Sequence, residues 1–217
     1  EGVAWATVFA EISAMIFGFY IFLKKIKYKK FKRLFGNIFV ARKFKRMLSI
    51  SLDIFIRTFC LIFAFAYFTR EASTMGDIIL ASNAILLQFI HFLSFGLDGF
   101  AHAAETLVGN AIGAKNKYSF WNNIRTCMFW ALLVSIIYSL TYWFLFPTLF
   151  GLLTSISEVK TAASQMRIWL TIFPLIAVWP YILDGIFIGA TQSRELRNAM
   201  IISLITFVLT IHVLKPV

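Results

Sequence analysis

The chain has 217 residues, of which 60% are hydrophobic, 18% aromatic and only 14% charged, and its mean hydropathy is +0.80. No water-soluble domain has a core large enough to hide that much apolar surface, so the composition excludes a soluble enzyme or a soluble binding module. The formal charge of +11 would suit a nucleic-acid binder, but its placement along the chain argues against one.

Six stretches, 3–23, 48–68, 78–112, 126–150, 168–190 and 199–214, are dominated by Phe, Ile, Leu, Ala and Val. A helix needs about 20 such residues to cross the hydrocarbon core. The runs are continuous rather than alternating, which favours helices over a β-barrel. The expected fold is all-α, a polytopic transmembrane helix bundle of six spans. The chain begins with Glu1 and stops just after an apolar run, and it reads as a fragment of a larger, transporter-sized protein.

Eleven of the 21 Lys and Arg residues fall between residues 24 and 47: Lys24, Lys25, Lys27, Lys29, Lys30, Lys32, Arg33, Arg42, Lys43, Lys45 and Arg46. Loops rich in Lys and Arg stay cytoplasmic. With that loop inside, Lys115, Lys117, Arg125, Arg194 and Arg197 also fall inside, for a total of 16, against four outside (Arg70, Lys160, Arg167 and Lys215). The basic loop is therefore an orientation signal that also touches anionic headgroups of the lipid bilayer, and no nucleic-acid partner is expected. Cys60 and Cys127 both fall within spans and are expected as small packing residues, without a metal or a disulfide.

Ionisable residues inside spans are costly and mark function by default. In the second span, Asp53 and Arg57 are one helical turn apart, which predicts an intrahelical ion pair, structural or gating. In the third span, Gln88, His91, Phe95, Asp98, His102 and Glu105 recur in steps of three and four, forming one stripe of one helix. Such a stripe should face a cavity or other helices rather than lipid; pure interhelical hydrogen bonding is the competing account. Buried or paired carboxylates and imidazoles can titrate near neutral pH, so a proton path is physically open. Gly96 and Gly99 are candidate kink sites. Gly109 and Gly113 form a small-xxx-small pair, with Gly113 placed to end the helix.

The fifth span carries Pro174, Pro180 and Asp184. The two prolines predict a broken helix, where transporters build sites. Asp184 has no basic neighbour in its own helix and must find a partner elsewhere. Trp179 and Tyr181 lie beside it, and aromatic faces next to a carboxylate suit a lipophilic cation, although ordinary packing accounts equally for any single ring. No enzyme signature appears: there is no metal-ligand spacing, no phosphate loop and no serine elbow. No cofactor is expected beyond a coupling ion.

Three segments resemble a known family. Leu97-Asp98-Gly99-Phe100-Ala101-His102-Ala103-Ala104-Glu105-Thr106-Leu107-Val108-Gly109-Asn110-Ala111-Ile112-Gly113-Ala114 is similar to a stretch of the multidrug and toxic compound extrusion (MATE) transporters, in the DinF branch. Asp53-Ile54-Phe55-Ile56-Arg57-Thr58 resembles the start of that branch's seventh helix. Leu183-Asp184-Gly185-Ile186-Phe187-Ile188-Gly189-Ala190-Thr191 resembles part of its tenth. His102 departs from the pattern, which has a neutral residue there.

The resemblance implies a twelve-helix fold of two lobes. Residues 1–23 would be the last helix of the first lobe, 24–47 the cytoplasmic linker and 48–217 an incomplete second lobe. It implies export of lipophilic, often cationic drug-like molecules by proton or sodium antiport with alternating access, in the bacterial inner membrane, by a monomer when complete. The cavity or pathway candidates are Asp98, Glu105, Asp184, His91, Gln88, Trp179 and Tyr181. Half a cavity is not expected to transport alone. A lipid-linked saccharide flippase of the same superfamily, a non-functional remnant and an integral-membrane enzyme are the alternatives. The flippase would want a basic cavity, whereas these spans hold Asp98, Glu105 and Asp184 against Arg57.

Overall fold

The structure, a computed structural model, describes residues 2–25 and 41–214, all of them helical apart from short connections. Among the described residues seven helices follow in order: α1 Gly2–Lys25, α2 Ala41–Ser73, α3 Asp77–Gly113, α4 Lys117–Leu153, α5 Ser157–Gln165, α6 Arg167–Gly189 and α7 Ser193–Leu214. All except the nine-residue α5 are long and apolar enough to span a membrane. The bundle is thus all-α, as its composition demands. Lys27, Lys29, Lys30, Lys32 and Arg33 of the basic loop lie outside the described residues.

The chain divides into two compact units, residues 1–49 and 50–217. In the first, the described residues of α1 expose their apolar side chains, among them Trp5, Phe9, Ile16 and Phe19. The second is built on α3, α4 and α6. The buried positions of α3 (Ser82, Asn83, Leu86, Phe89, Leu93, Leu97, Ala101, Ala104, Val108, Ala111) advance mainly by three and four residues, which is one helical face. The buried positions of α4, from Cys127 through Ala131, Ser135 and Ser139 to Phe150, do the same. One cluster packs Phe89 of α3 on Tyr142, Phe146 and Phe150 of α4 and Leu170 of α6. A second joins Leu93 and Leu97 to Ala131, Ala177, Val178 and Ile182. Lipid is as apolar as leucine, so close contact between helices rests on small residues and hydrogen bonds. Here Ala101, Ala104, Ala131 and Ala177 are nearly fully buried.

Two sequence expectations are revised. The helix carrying Pro174 and Pro180 is continuous from Arg167 to Gly189. One turn before Pro174 the Thr171 carbonyl accepts a hydrogen bond from Ser139 Oγ at 2.6 Å, which ties α6 to α4. Pro147 lies inside α4. Its missing N–H leaves the carbonyl of Trp143, four residues earlier, without its helical donor. The Arg167 guanidinium donates to that carbonyl and sits 4.6 Å from the centroid of the Trp143 ring.

The second revision concerns how α3 ends: it stops at Gly113, as expected, but without using a left-handed glycine, and α6 ends in the same way. The residue with left-handed backbone is Lys115 after α3 (φ 54°) and Thr191 after α6 (φ 57°), not the glycine. Asn116 N–H reaches back to the Ala111 carbonyl, and Gln192 N–H to the Phe187 carbonyl. The same turn thus closes Ile112-Gly113-Ala114-Lys115-Asn116 and Ile188-Gly189-Ala190-Thr191-Gln192. Gly189 serves packing geometry rather than the turn, as its contacts below show.

Candidate functional site

The site begins where α3 and α6 cross. A Cβ on Gly185 would lie 2.0 Å from the carbonyl oxygen of Ala101, and one on Gly189 would lie 2.4 Å from that of Glu105. Gly109 approaches the Gly189 carbonyl in turn, at 3.3 Å from its would-be Cβ. The contacts advance together from 101 to 105 and from 185 to 189, so the two helices run parallel with their backbones touching. Only glycine permits this. The crossing sets Asp184, next to Gly185, beside the α3 segment that carries Asp98 and Glu105, and both of those carboxylates contribute to the electrostatic field at Asp184.

α2 completes the cluster. Arg57 Nη2 is 2.6 Å from Asp184 Oδ1, with each side chain 21% exposed. The Asp53–Arg57 pair predicted within α2 does not form. Asp53, 3% exposed, instead accepts from Arg197 Nη1 at 2.5 Å and from Ser193 Oγ at 2.9 Å, both on α7. One turn separates Asp53 from Arg57, and each finds a partner on a different helix. An intrahelical pair would have satisfied two charges but left Asp184 and Arg197 without an opposite charge. Further along α2, the Tyr67 hydroxyl and His212 Nδ1 of α7 are 3.3 Å apart.

The stripe of α3 divides. Ser94, which the sequence reading passed over in favour of Phe95, pairs its hydroxyl with that of Tyr181, whereas Phe95 is 76% exposed. Asp98 is half-buried and acts electrostatically on Tyr181, as do Arg57 and Asp184. Asp98 has no hydrogen-bond partner among the described residues. Glu105 Oε2 is 3.4 Å from His102 Nδ1. Gln88 and His91 are exposed and lie toward the other end of the helix, where the His91 ring meets Phe65 at 5.7 Å between centroids. Trp179 is 50% exposed and stands apart from the cluster. The structure therefore gathers Arg57, Asp98, Glu105, Tyr181 and Asp184, with Ser94 added. It leaves Gln88, His91 and Trp179 elsewhere and puts Asp53 in a separate α2–α7 bridge. Among the described residues no group of His, Cys, Asp and Glu is arranged to hold a metal ion.

This geometry joins the three segments of the sequence that carry the family resemblance. The MatE family profile matches residues 53–215. The chain belongs to the MatE family. It is 32% identical to the DNA damage-inducible protein F of Escherichia coli (strain K12) over 211 residues, which is 97% of this chain and 46% of that protein. The chain thus spans about half the length of the relative it matches. No solved structure matches it. The family and the six apolar helices make this a multi-pass membrane protein, and the matched span contains every residue of the cluster.

Proposed function

We propose that the chain supplies one half of a secondary active efflux transporter, which exports lipophilic or cationic small molecules by proton or sodium antiport with alternating access. The supporting observation is the charge balance of the cluster. Arg57 neutralises Asp184 at 2.6 Å, and Asp98, beside Tyr181, remains as unpaired negative charge, with Glu105 adding to it wherever His102 is neutral. A half-buried carboxylate with no fixed partner attracts cations in a low-dielectric setting. The same balance disfavours a flippase for lipid-linked saccharides, whose phosphates would need a surplus of positive charge. The transporter sits in the bacterial inner membrane, with residues 24–47 on the cytoplasmic face, where their lysines and arginines meet anionic lipid. Arg57–Asp184 is the contact that opens when a proton or cation takes the place of the guanidinium.

The test is counterflow in vesicles holding the chain together with the first half of the E. coli relative. A pH gradient and a sodium gradient are imposed separately while a fluorescent lipophilic cation is followed. Movement driven by one gradient is expected and names the ion. The chain alone is expected to give none. Absence of movement with either gradient, in folded protein, would overturn the antiport reading.

A further inference from the structure

A second feature lies away from the acidic cluster, between α2 and α3. Phe68, Thr69 and Ala72 of α2 face Leu80, Asn83, Ala84, Leu87, Gln88 and His91 of α3 across a cleft of about 210 Å³. Asn83 and Asp98 are fifteen residues apart on one helix, about 22 Å along its axis. The cleft is therefore a separate place and not an arm of the cluster.

Its polar groups are incompletely used. Asn83 is 7% exposed, and its amide has no hydrogen-bond partner among the described residues. The amide is not among the side-chain groups sealed from the surroundings without a partner, so its N–H₂ and carbonyl stay open to a ligand that both donates and accepts. Gln88, beside it in the lining, likewise has a free amide among the described residues. Thr69 spends its hydroxyl on the Phe65 carbonyl. The rest of the lining is apolar, and His91 is its single titratable member.

We infer that this cleft is a binding site for a small uncharged aromatic carboxamide or a ligand of the same hydrogen-bonding pattern. Two amides that each donate and accept match a ligand that does both. The Phe68, Leu80 and Leu87 side chains match an apolar ring. Among the described residues no carboxylate, lysine or arginine lines the cleft to hold a charge. At about 210 Å³ it lies below the roughly 300–1,000 Å³ of sites for drug-sized molecules, so its ligand is smaller than the substrates proposed for the acidic cluster.

The experiment uses the full chain in lipid nanodiscs with 4-fluorobenzamide as the probe, followed by fluorine NMR without any ion gradient. Saturable binding is expected, weakened about tenfold or more by Asn83→Leu and abolished by Ala84→Phe, which fills the cleft. Asn83→Leu should keep a cooperative thermal transition like that of the native chain, which shows that the variant folds. No saturable binding to the native chain, or unchanged binding in Asn83→Leu, would overturn the site. Binding here and transport at the acidic cluster are read by different assays, so either can fail without the other.

Discussion

Replacing Gly185 with alanine tests the helix crossing on which the acidic cluster depends. The new Cβ would sit 2.0 Å from the Ala101 carbonyl oxygen, 2.7 Å from its carbon and 2.9 Å from its Cα. All three neighbours are backbone, so no rotamer change relieves the overlap. α3 and α6 must separate by about 1 Å or more, and the contacts between Gly109, Gly189 and Glu105 loosen with them. Overpacking costs about 1–3 kcal/mol where side chains yield, and backbone against backbone belongs at the upper end. The lower entropy of alanine in the unfolded chain returns about 0.5–1 kcal/mol. The net loss is about 2 kcal/mol. Gly99 is the internal control, because a Cβ there meets nothing within 4 Å, and Gly99→Ala should gain about 0.5–1 kcal/mol. Reversible unfolding in mixed detergent micelles, followed by helical circular dichroism, should therefore separate the two variants by about 2–3 kcal/mol. Equal stability of the two would refute the close crossing, and with it the account of how Asp184 is brought to Asp98 and Glu105.

Arg57→Leu strands Asp184 and is expected to cost about 3 kcal/mol, while the double change with Asp184→Leu should recover most of it. A double-mutant cycle by the same unfolding assay, giving no coupling, would show that the pair does not hold. Asp53→Ala should cost more than Asp53→Asn, since asparagine can still accept from Ser193, and a reversed order in the unfolding midpoints would contradict the α2–α7 bridge. Arg167→Ala should destabilise by about 1–2 kcal/mol, but by much less when Pro147→Ala restores a donor to the Trp143 carbonyl. Additive effects in that cycle would mean that Arg167 serves some other purpose.

The fold was legible because a membrane forces it: continuous apolar runs of this length can only be helices, and six runs give six spans. The site was legible by composition and less so by pairing. Asp53 and Arg57 satisfy the spacing rule for an ion pair, but spacing within one helix carries no information about which charges neighbouring helices present. The signal that pointed to the true partners was indirect: Asp184 and Arg197 each needed an opposite charge, and α2 held one of each. Ser94 was missed because Phe95 fits the same step of three and four. The two positions differ by about 100° around the helix, enough to turn one toward Tyr181 and the other outward. The compensation for a proline is hidden for a related reason. Pro147 removes a donor from α4, and the replacement, Arg167, lies on another helix. What sequence periodicity reports is the face of a single helix, and the chemistry of this cluster lies between helices.

The two ways in which the second unit joins its helices bear on how it would work. α3 and α6 touch backbone to backbone, with no space to spare, and any sliding would drive Cα atoms into carbonyls. Under the proposed alternating access they would move as one body. α2 is bound differently, through Asp53 to Ser193 and Arg197, through Arg57 to Asp184 and through Tyr67 to His212. Such links are directional and exchangeable: a hydrogen bond or ion pair can be traded for another of equal strength, whereas a packed backbone crossing has no substitute. In a low-dielectric interior, opening Arg57–Asp184 without replacement would leave two unpaired charges and is strongly opposed. Under the proposed antiport, the opening becomes affordable when a proton or a cation neutralises Asp184 as the guanidinium leaves. The pair then couples ion occupancy to the position of α2, and it does so because its alternative states are so unequal in energy when the ion is absent.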